Sequence, residues 1–479
     1  MIQDFIYDKL IQSLGFEPTP DQDSAAKKIS RFVTNRDSSA AEIFVLYGYA
    51  GTGKTSLTSA LVKTLTALKI NCVLMAPTGR AAKVFSQFSQ HKAFTIHKGI
   101  YRQKSAAVLD SSFSLSPNVA ADTLFIIDEA SMISQGGGDS VFGSGRLLDD
   151  LISYVFSGNN CRLMLVGDSG QLPPVGETVS PALDISELET YGMNVDSAVL
   201  SNVVRQANES GILYNATQLR RSVDSAAEGQ NPFPKFTLKG FKDVERITGA
   251  DLLEKLEYSY DHHGVLDTLV VTRSNKNAGI YNAGIYNAGI RSRIFWREEQ
   301  ISSGDIVMVV KNNYFYTKDM KDTDFIANGD IAEVTRVGRY ENLYGFTFVN
   351  VDLRFPDYDG LEFSAKIILE CLNSQSPALT NEDSERLYKA VCEDYAGMNK
   401  HDMYKEIKKN EYFNALQVKF AYAVTCHKSQ GGQWSNVFID QGYITDDMID
   451  REYLRWLYTA FTRATEKVYL VNFKNEFFD

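Results

Sequence analysis

The sequence has few cysteines, no long apolar run and no excess of positive charge. Its five cysteines are scattered over 479 residues and form no CxxC pair. This excludes a disulfide framework and a common type of structural zinc site, and it predicts a reduced, cytosolic setting. No segment approaches the ~18 uncharged apolar residues that a membrane span requires. The N-terminal segment is amphipathic and carries acidic residues, unlike a secretion signal.

The shortage of positive charge bears on nucleic-acid binding. The net charge is −11, which taken alone argues mildly against a polyanionic partner. Acidic residues are concentrated at 340–413, however, where 14 Asp and Glu stand against 8 Lys and Arg. That segment carries a net charge of −6, so only −5 remains for the rest of the chain. A local basic groove is therefore compatible with the total charge.

Apolar runs that precede turns or polar motifs predict a parallel α/β sheet in each half of the chain. The length exceeds that of one hydrophobic core. We predict a first core at 1–200 and a second core at 201–334 plus 414–479. Two insertions are expected, a small hairpin at 98–121 and a small β-rich domain at 335–413. The runs that predict buried strands lie at 43–47, 70–75, 123–128, 161–166, 265–272, 418–425 and 467–473.

A five-residue repeat, NAGIYNAGIYNAGI, occupies residues 277–290. In a helix, successive repeats rotate so that no single apolar face forms. Each of its three glycines disfavours a helix by roughly 1 kcal/mol. We interpret the repeat as a duplication in a surface helix rather than as a functional motif.

A phosphate-binding motif follows the first predicted strand. The segment GYAGTGKT (48–55) fits the pattern G-x4-G-K-[ST] between a strand and a helix, the context that the motif requires. Its glycines let backbone N–H groups surround phosphate oxygens at a helix N-terminus. Lys54 is expected to neutralise the β- and γ-phosphates, and the Thr55 hydroxyl to ligate Mg²⁺. The predicted nucleotide contacts of this loop are Gly48, Ala50, Gly51, Thr52, Gly53, Lys54, Thr55 and Ser56.

A second motif, TLFIIDE (123–129), is a predicted buried strand that ends in two carboxylates. Buried acids are unfavourable unless they bind something. Asp128 is expected to hold Mg²⁺, usually through water, and Glu129 to orient or deprotonate the attacking water. The two motifs together predict hydrolysis of a nucleoside triphosphate with Mg²⁺, but they do not tell what the hydrolysis drives.

Further short motifs follow one another in a consistent order. They are PTPDQ (18–22), APTGRAA (76–82), FTIH (94–97), IIDEASM (126–132), LVGDSGQLPPV (165–175), LSNVVRQ (200–206), YAVTCHKSQG (422–431) and YTAFTRA (458–464). With the phosphate-binding motif, this series resembles the motifs of superfamily 1 helicases. It is most similar to group B, which includes the RecD-like helicases and the phage T4 Dda helicase. The resemblance spans about residues 18–470 and is weak at 98–121 and 340–413.

The resemblance implies an α/β fold with two RecA-like parallel-sheet P-loop cores. A small pin-like hairpin would interrupt the first core, and a small SH3-like domain, beginning near Asn-Gly-Asp at 328–330, would interrupt the second. Gln22 would read the adenine, and Gln171 would sense the γ-phosphate. Two arginines, Arg205 and Arg463, would reach that phosphate from the second core. The implied catalytic residues are Lys54, Asp128, Glu129, Gln171, Arg205 and Arg463.

The resemblance also implies a groove for a single strand. The matching positions are Thr78, Arg80, Thr95, His97, Thr425, His427, Lys428 and Ser429. Hydroxyl, imidazole and N–H groups suit phosphate contacts, which carry no sequence information. His97 and His427 could instead be buried structural histidines. Phe85, Phe94 and Tyr101 are candidates for stacking on bases, although most aromatic residues must belong to the cores.

The leading interpretation is an ATP-dependent helicase that moves 5′→3′ on single-stranded DNA and unwinds forked duplex DNA. The polarity comes only from the resemblance to group B. We expect it to act as a monomer in the cytoplasm of a bacterial or phage-infected cell, without a membrane partner. One alternative is a translocase that works on RNA or displaces proteins without unwinding. Another is a binding module with a decayed ATPase, against which the intact Lys54 and Glu129 argue.

Overall fold

The computed structural model describes most of the chain. The described residues are 2–35, 42–103, 113–136, 143–202, 210–227, 233–273, 289–318, 320, 325–358, 360–372, 374, 376 and 378–479. Arg205 lies outside them. So do residues 104–112 of the predicted hairpin and all of the repeat at 277–290 except its last two residues.

The first half of the chain folds around a six-stranded parallel sheet, with the strand order β3-β2-β6-β7-β1-β8. The strands of this half are β1 (Ile43–Gly48), β2 (Cys72–Ala76), β3 (Ala93–Thr95), β4 (Tyr101–Gln103), β5 (Phe113–Leu115), β6 (Leu124–Ile127), β7 (Arg162–Gly167) and β8 (Val195–Leu200). The helices are α1 (Ile2–Leu14), α2 (Pro20–Thr34), α3 (Lys54–Ala67), α4 (Gly79–Ser89), α5 (Ile96–Ile100), α6 (Leu147–Ser157) and α7 (Ile185–Glu189).

Helices cover both faces of this sheet, which explains why its strands are apolar without alternation. In β1, Ile43 and Val45 face one apolar core, whereas Phe44 and Leu46 face the other. The strands β4 and β5 lie outside the sheet and pair antiparallel, with Tyr101 opposite Leu115. They form the base of a hairpin in the region where the sequence predicts one.

The second half contains a five-stranded parallel sheet and a closed barrel. Its strands are β9 (Val244–Ile247), β10 (Thr268–Thr272), β11 (Ile306–Val309), β12 (Ile331–Leu343), β13 (Phe346–Phe355), β14 (Leu361–Ile368), β15 (Leu416–Phe420), β16 (Ala423–Thr425), β17 (Trp434–Asp440) and β18 (Ala464–Val471). Its helices are α8 (Gly211–Ala227), α9 (Leu252–His263), α10 (Asn381–Glu393), α11 (Lys400–Ile407), α12 (Cys426–Ser429) and α13 (Arg451–Phe461). The parallel sheet has the order β16-β10-β17-β18-β9.

The barrel consists of β11, β12, β13, β14 and β15. It begins at Ile306 and closes at Phe420, so it extends beyond the predicted span of 335–413 on both sides. The reason is that β11 and β15 pair with each other and close the barrel. The helices α10 and α11 carry Leu387, Val391 and Ile407 into a separate apolar cluster beside it. Two parallel sheets, a hairpin and an inserted barrel confirm the predicted fold class.

A buried ionic cluster joins the barrel to the second sheet. The Asp305 carboxylate, immediately before β11, is completely buried. It accepts hydrogen bonds from Arg291 Nε at 3.0 Å, Arg297 Nη1 at 2.8 Å and the Tyr422 hydroxyl at 2.8 Å. Tyr422 stands between β15 and β16, so the cluster fixes the point where the chain returns from the barrel. Of the helices that the structure describes, none combines the length and apolar character needed to cross a membrane.

Candidate functional site

The phosphate-binding motif forms a tight loop between β1 and α3. Gly51 and Gly53 adopt φ angles of +75° and +83°, a left-handed conformation that glycine adopts without strain. A side chain at Gly48 would overlap Lys54, and one at Gly53 would overlap the amide of Gln22. The loop is therefore closely packed at the N-terminus of α3, where backbone N–H groups attract anions.

Lys54 lies inside this loop. Its ammonium donates to the carbonyl oxygens of Gly48 and of Tyr49, the latter at 3.1 Å. Its Nζ also lies 3.8 Å from Oδ2 of the buried Asp168. The lysine charge is thus held beside the loop by acceptors that a nucleotide phosphate can replace.

Gln22 fixes the loop from the other side. It is completely buried at the third position of α2, in a capping box with Thr19. Its Oε1 accepts from the Thr19 N–H at 3.0 Å, and its Nε2 donates to the Thr52 carbonyl at 3.0 Å. The amide therefore joins α2 to the phosphate loop. Contact with an adenine stays a prediction for this residue.

The two acids of TLFIIDE follow β6, at the carboxyl end of the sheet. Glu129 has φ +52° and ψ 39°, a left-handed conformation that is uncommon for a residue other than glycine and is often seen at functional sites. Asp128 Oδ1 accepts the Glu129 N–H at 2.9 Å. Burial and the Glu129 carboxylate raise the pKa of Asp128, and Lys54 opposes this. A carboxyl in such surroundings is suited to a cation.

The surroundings of Asp128 fit a magnesium ion that is shared with phosphate. Across the described residues, no group of three or more His, Cys, Asp or Glu side chains could hold a metal ion alone. Asp128 and the half-buried Thr55 would have to share the ion with nucleotide oxygens. This is the usual arrangement for Mg²⁺, which takes few protein ligands at phosphate sites.

Asp168 and Gln171 belong to the loop after β7. Asp168 accepts the Gly170 N–H at 2.9 Å and the Tyr458 hydroxyl at 2.6 Å. Gln171 is 6% exposed, and its Oε1 has no hydrogen-bond partner within the described part of the chain. An unpaired buried acceptor is unfavourable by about 1–3 kcal/mol. The predicted phosphate sensor therefore retains an acceptor for a water or a ligand.

Arg463 follows α13 in the second core and is 4% exposed. Its guanidinium donates to the Thr459 and Gly432 carbonyls and to the Thr462 hydroxyl, at 3.1–3.2 Å. No carboxylate in the described ranges pairs with it. Burying a charge without a counter-ion is unfavourable, so an anionic ligand would stabilise this side chain. The other predicted arginine, Arg205, lies outside the described residues.

The structure adds two side chains to the phosphate loop that the sequence analysis did not assign. Tyr458, on α13, accepts the Ala50 N–H at 2.9 Å through its hydroxyl. Arg220, on α8, places its guanidinium 4.1 Å from the ring centroid of Tyr49. Both come from the second half of the chain. Tyr458 opens the motif YTAFTRA, which was a usable signal, whereas Arg220 stands in no motif.

The predicted strand contacts lie at the carboxyl ends of strands in both sheets. Thr78 and Thr95 are N-cap residues of α4 and α5, after the neighbouring strands β2 and β3. Thr425 ends β16 and is followed by α12. The other predicted contacts on these segments are Arg80, His97, His427, Lys428 and Ser429.

The two sets of strand contacts meet at one junction. The Arg80 guanidinium donates to the Gln433 carbonyl at 2.9 Å and lies 4.1 Å from the Trp434 ring centroid. A side chain at Gly431 would lie 2.9 Å from the Thr78 hydroxyl. The structure therefore brings motifs that are far apart in sequence to the same place.

Some of these side chains face inward. Ser429 is fully buried, and its hydroxyl donates to the Cys426 carbonyl at 2.7 Å. Burial lowers the pKa of His97 to about 4 and also lowers that of His427, so both rings are neutral near pH 7. The stacking predictions for Phe85 and Tyr101 are wrong, because both rings are buried in the first core.

The barrel packs against the start of α4, next to the predicted strand contacts. A side chain at Gly79 would lie 2.8 Å from Asp330 Oδ1 and 2.9 Å from the Tyr358 hydroxyl. Lys83 on α4 lies 3.7 Å from the Asp357 carboxylate. The acidic face of the barrel thus contacts the helix that carries Arg80.

Two families match the chain. The family described as an AAA domain matches residues 20–231, and the family described as a UvrD-like helicase C-terminal domain matches residues 420–471. The first match covers the phosphate loop and the whole six-stranded sheet. The second covers β16, β17 and β18 with α13.

Individual relatives extend these matches. Protein R530 of Acanthamoeba polyphaga mimivirus is 21% identical over 504 residues, covering 93% of this chain and 98% of that protein. The ATP-dependent RecD2 DNA helicase of Deinococcus radiodurans is 30% identical over 174 residues, covering 36% of this chain and 21% of that protein. The solved structure of a Pif1 helicase from Bacteroides, in complex with ADP-AlF3 and ssDNA, is 16% identical. It covers 97% of this chain and 95% of that chain, with a TM-score of 0.42.

Proposed function

This chain belongs to group B of the superfamily 1 helicases, and from that premise we propose that it is an ATP-driven motor that moves on single-stranded DNA and unwinds duplex DNA. One observation carries the proposal. The backbone of Leu172, beside the predicted phosphate sensor Gln171, is hydrogen-bonded to two segments of the second core. Its N–H donates to the Thr459 hydroxyl at 2.9 Å, and its carbonyl accepts from Gln430 Nε2 at 2.8 Å.

These two contacts connect Leu172 to two different predicted sites, the phosphate site and the strand groove. Thr459 lies on α13, four residues before Arg463. A displacement of Leu172 would therefore displace the arginine that is predicted to reach the γ-phosphate. Gln430 lies in YAVTCHKSQG, two residues after Lys428, so the same shift reaches the predicted strand contacts. Linked contacts of this kind let a small change at a nucleotide move one core against the other. This supports a motor rather than a module with a decayed ATPase.

Different residues bind the phosphates, orient the attacking water and stabilise the transition state. Lys54 leaves its carbonyl acceptors for the β- and γ-phosphates, and Glu129 orients the attacking water. Arg463, with Arg205 as the predicted second arginine, stabilises the charge that develops on the transferred phosphoryl group. Thr55 and Asp128 are the side chains that would hold Mg²⁺, and the ion would supply positive charge to the phosphates.

The strand contacts suit a motor that reads no sequence. Thr78, Thr95 and Thr425 place hydroxyls at the starts of helices, and the neutral imidazoles of His97 and His427 offer N–H donors. Such groups bind phosphates without base readout. We propose movement 5′→3′ on single-stranded DNA, separation of forked duplexes and action as a monomer in the cytoplasm.

Forked duplexes made of DNA or of RNA test this function directly. We expect strand separation of a DNA fork with a 5′ single-stranded tail, dependent on ATP and Mg²⁺. Lys54→Ala should abolish hydrolysis and leave strand binding largely intact, because the lysine acts on phosphates of the nucleotide. Displacement of streptavidin from single strands without fork separation would favour a translocase, and separation of RNA forks alone would overturn the DNA assignment.

A further inference from the structure

The hydroxyl of Tyr458 makes two contacts that cross between the cores. Tyr458 lies in the last turn of α13 and is 1% exposed. Its hydroxyl donates to Asp168 Oδ2 at 2.6 Å and accepts the Ala50 N–H at 2.9 Å. Asp168 and Ala50 belong to the first core, in the loop after β7 and in the phosphate loop. One atom of the second core is therefore held by both loops that surround the nucleotide phosphates.

Asp168 connects this hydroxyl to Lys54. The carboxylate lies 3.8 Å from the Lys54 ammonium and is almost fully buried. When Lys54 turns to the phosphates, Asp168 keeps the Tyr458 hydroxyl and the Gly170 N–H as donors. A hydrogen bond to a buried carboxylate is among the stronger ones. Burial also raises the pKa of Tyr458, so the hydroxyl stays a donor.

The residue that follows Tyr458 contacts the predicted catalytic arginine. The neighbouring residue Thr459 accepts the Leu172 N–H through its hydroxyl and the Arg463 Nε through its carbonyl. A displacement of the last turn of α13 therefore displaces the Arg463 guanidinium. Misplacement of a transition-state contact by about 1 Å can cost about a hundredfold in rate.

We propose that Tyr458 is a positioning residue that docks α13 onto the phosphate loop and so places Arg463 for hydrolysis. The proposal rests on the function proposed above and adds a residue to it. Nucleotide binding needs mainly the first core, whereas Arg463 acts on developing charge. Loss of the hydroxyl should therefore lower kcat rather than raise KM.

Tyr453 provides a matched control on the same helix. It is equally buried, but its hydroxyl contacts only Gln441 of the second core, at 3.5 Å, among the described residues. We expect Tyr458→Phe to lower kcat of DNA-stimulated ATP hydrolysis by about ten- to a hundredfold. KM should change less than about threefold, and Tyr453→Phe should leave both within about twofold. A change confined to KM, or equal losses in the two variants, would overturn the proposal.

A double variant tests the route through Arg463. If Tyr458 acts by placing this arginine, Tyr458→Phe should cause little further loss of kcat in an Arg463→Ala background. Losses that multiply independently would mean that Tyr458 acts on another group, and the proposal would be wrong.

Hydrogen exchange of the free protein tests docking without activity. The Ala50 amide is held by the Tyr458 hydroxyl. The peptide covering residues 48–53 should therefore exchange faster in Tyr458→Phe than in the wild-type protein, and at the wild-type rate in Tyr453→Phe. Unchanged exchange in both variants would refute the docking contact. Absent ATP hydrolysis in the wild-type protein would instead refute the proposed function, so the two failures are distinguishable.

Discussion

Asp330→Asn should flatten the pH dependence of this protein's stability. The Asp330 carboxyl stands before β12, where Oδ2 accepts the Ala327 N–H at 2.7 Å and the Tyr358 hydroxyl at 2.6 Å. Burial is the main cause that raises its pKa to about 7. The nearby Asp357 carboxylate raises it further, while the two hydrogen bonds lower it.

The direction of this pH dependence follows from the pH range in which the folded and unfolded chains hold the Asp330 proton. Below about pH 4, the carboxyl is protonated in both the folded and the unfolded chain. Between about pH 4 and pH 7, only the folded chain keeps the proton, so rising pH favours unfolding. The folded-state and unfolded-state pKa values differ by about 3 units, which corresponds to a loss of at most about 4 kcal/mol of unfolding free energy. This loss is complete above the folded-state pKa.

Urea unfolding at pH 4.5 and pH 8 measures this loss. The asparagine keeps an oxygen acceptor and cannot ionise, so Asp330→Asn should lose less unfolding free energy than the wild-type protein between these two pH values. Tyr358→Phe removes a hydrogen bond that favours the charged carboxylate. This variant should therefore lose more unfolding free energy between the two pH values than the wild-type protein does. The reasoning is refuted if all three proteins show the same change with pH.

Three other perturbations test separate parts of the structure. Glu129→Gln keeps its shape but loses the base, so we expect near-normal binding of Mg·ATP and turnover at least about 100-fold slower in a single-turnover assay; mild slowing would count against the role. Asp305→Ala leaves the guanidinium groups of Arg291 and Arg297 buried without their carboxylate, so urea unfolding should report a loss of about 3–5 kcal/mol. A loss under about 1 kcal/mol would show that water replaces the carboxylate. Replacing 104–112 by a Gly/Ser linker should keep DNA-stimulated ATPase within a few-fold but remove fork separation; unwinding at the wild-type rate would place the strand-separating element elsewhere.

The sheets could be predicted because their physics is local. A strand such as β1, with Ile43 and Val45 on one face and Phe44 and Leu46 on the other, must be apolar throughout when helices cover both faces. The bounds of the barrel could not be predicted in this way. Its first strand, IVMV at 306–309, is as short and apolar as a core strand. Its pairing with β12 and with β15, the latter more than a hundred residues later, assigns it to the barrel.

The same contrast holds for the site. Motifs with fixed spacing reveal Lys54 and the two acids, because a phosphate loop imposes its residue types locally. Tyr458 and Arg220 reach that loop from distant segments. The motif YTAFTRA draws attention to Tyr458 but does not encode its contact with the loop, and Arg220 stands in no motif. Phe85 shows the opposite error. An aromatic residue just after the predicted strand-contact motif APTGRAA suggested stacking, but the amphipathic helix α4 turns this ring into the core.

Buried charge distinguishes the parts of this protein that hold the fold from the parts that act on a ligand. Asp305, at the junction of sheet and barrel, has two arginines and a tyrosine as partners, so its charge stabilises one arrangement. Arg463 is also buried but has only neutral acceptors in the described structure, and Gln171 Oε1 has no hydrogen-bond donor there. Groups left in this condition are unfavourable until a ligand supplies the missing charge or donor. We propose that a nucleotide bound beside Lys54 supplies the missing charge and donor, and that its release leaves both groups unfavourable again. Leu172, which is hydrogen-bonded to Thr459 and to Gln430, would transmit this alternation to the predicted strand contacts, as a motor that grips and releases a strand requires.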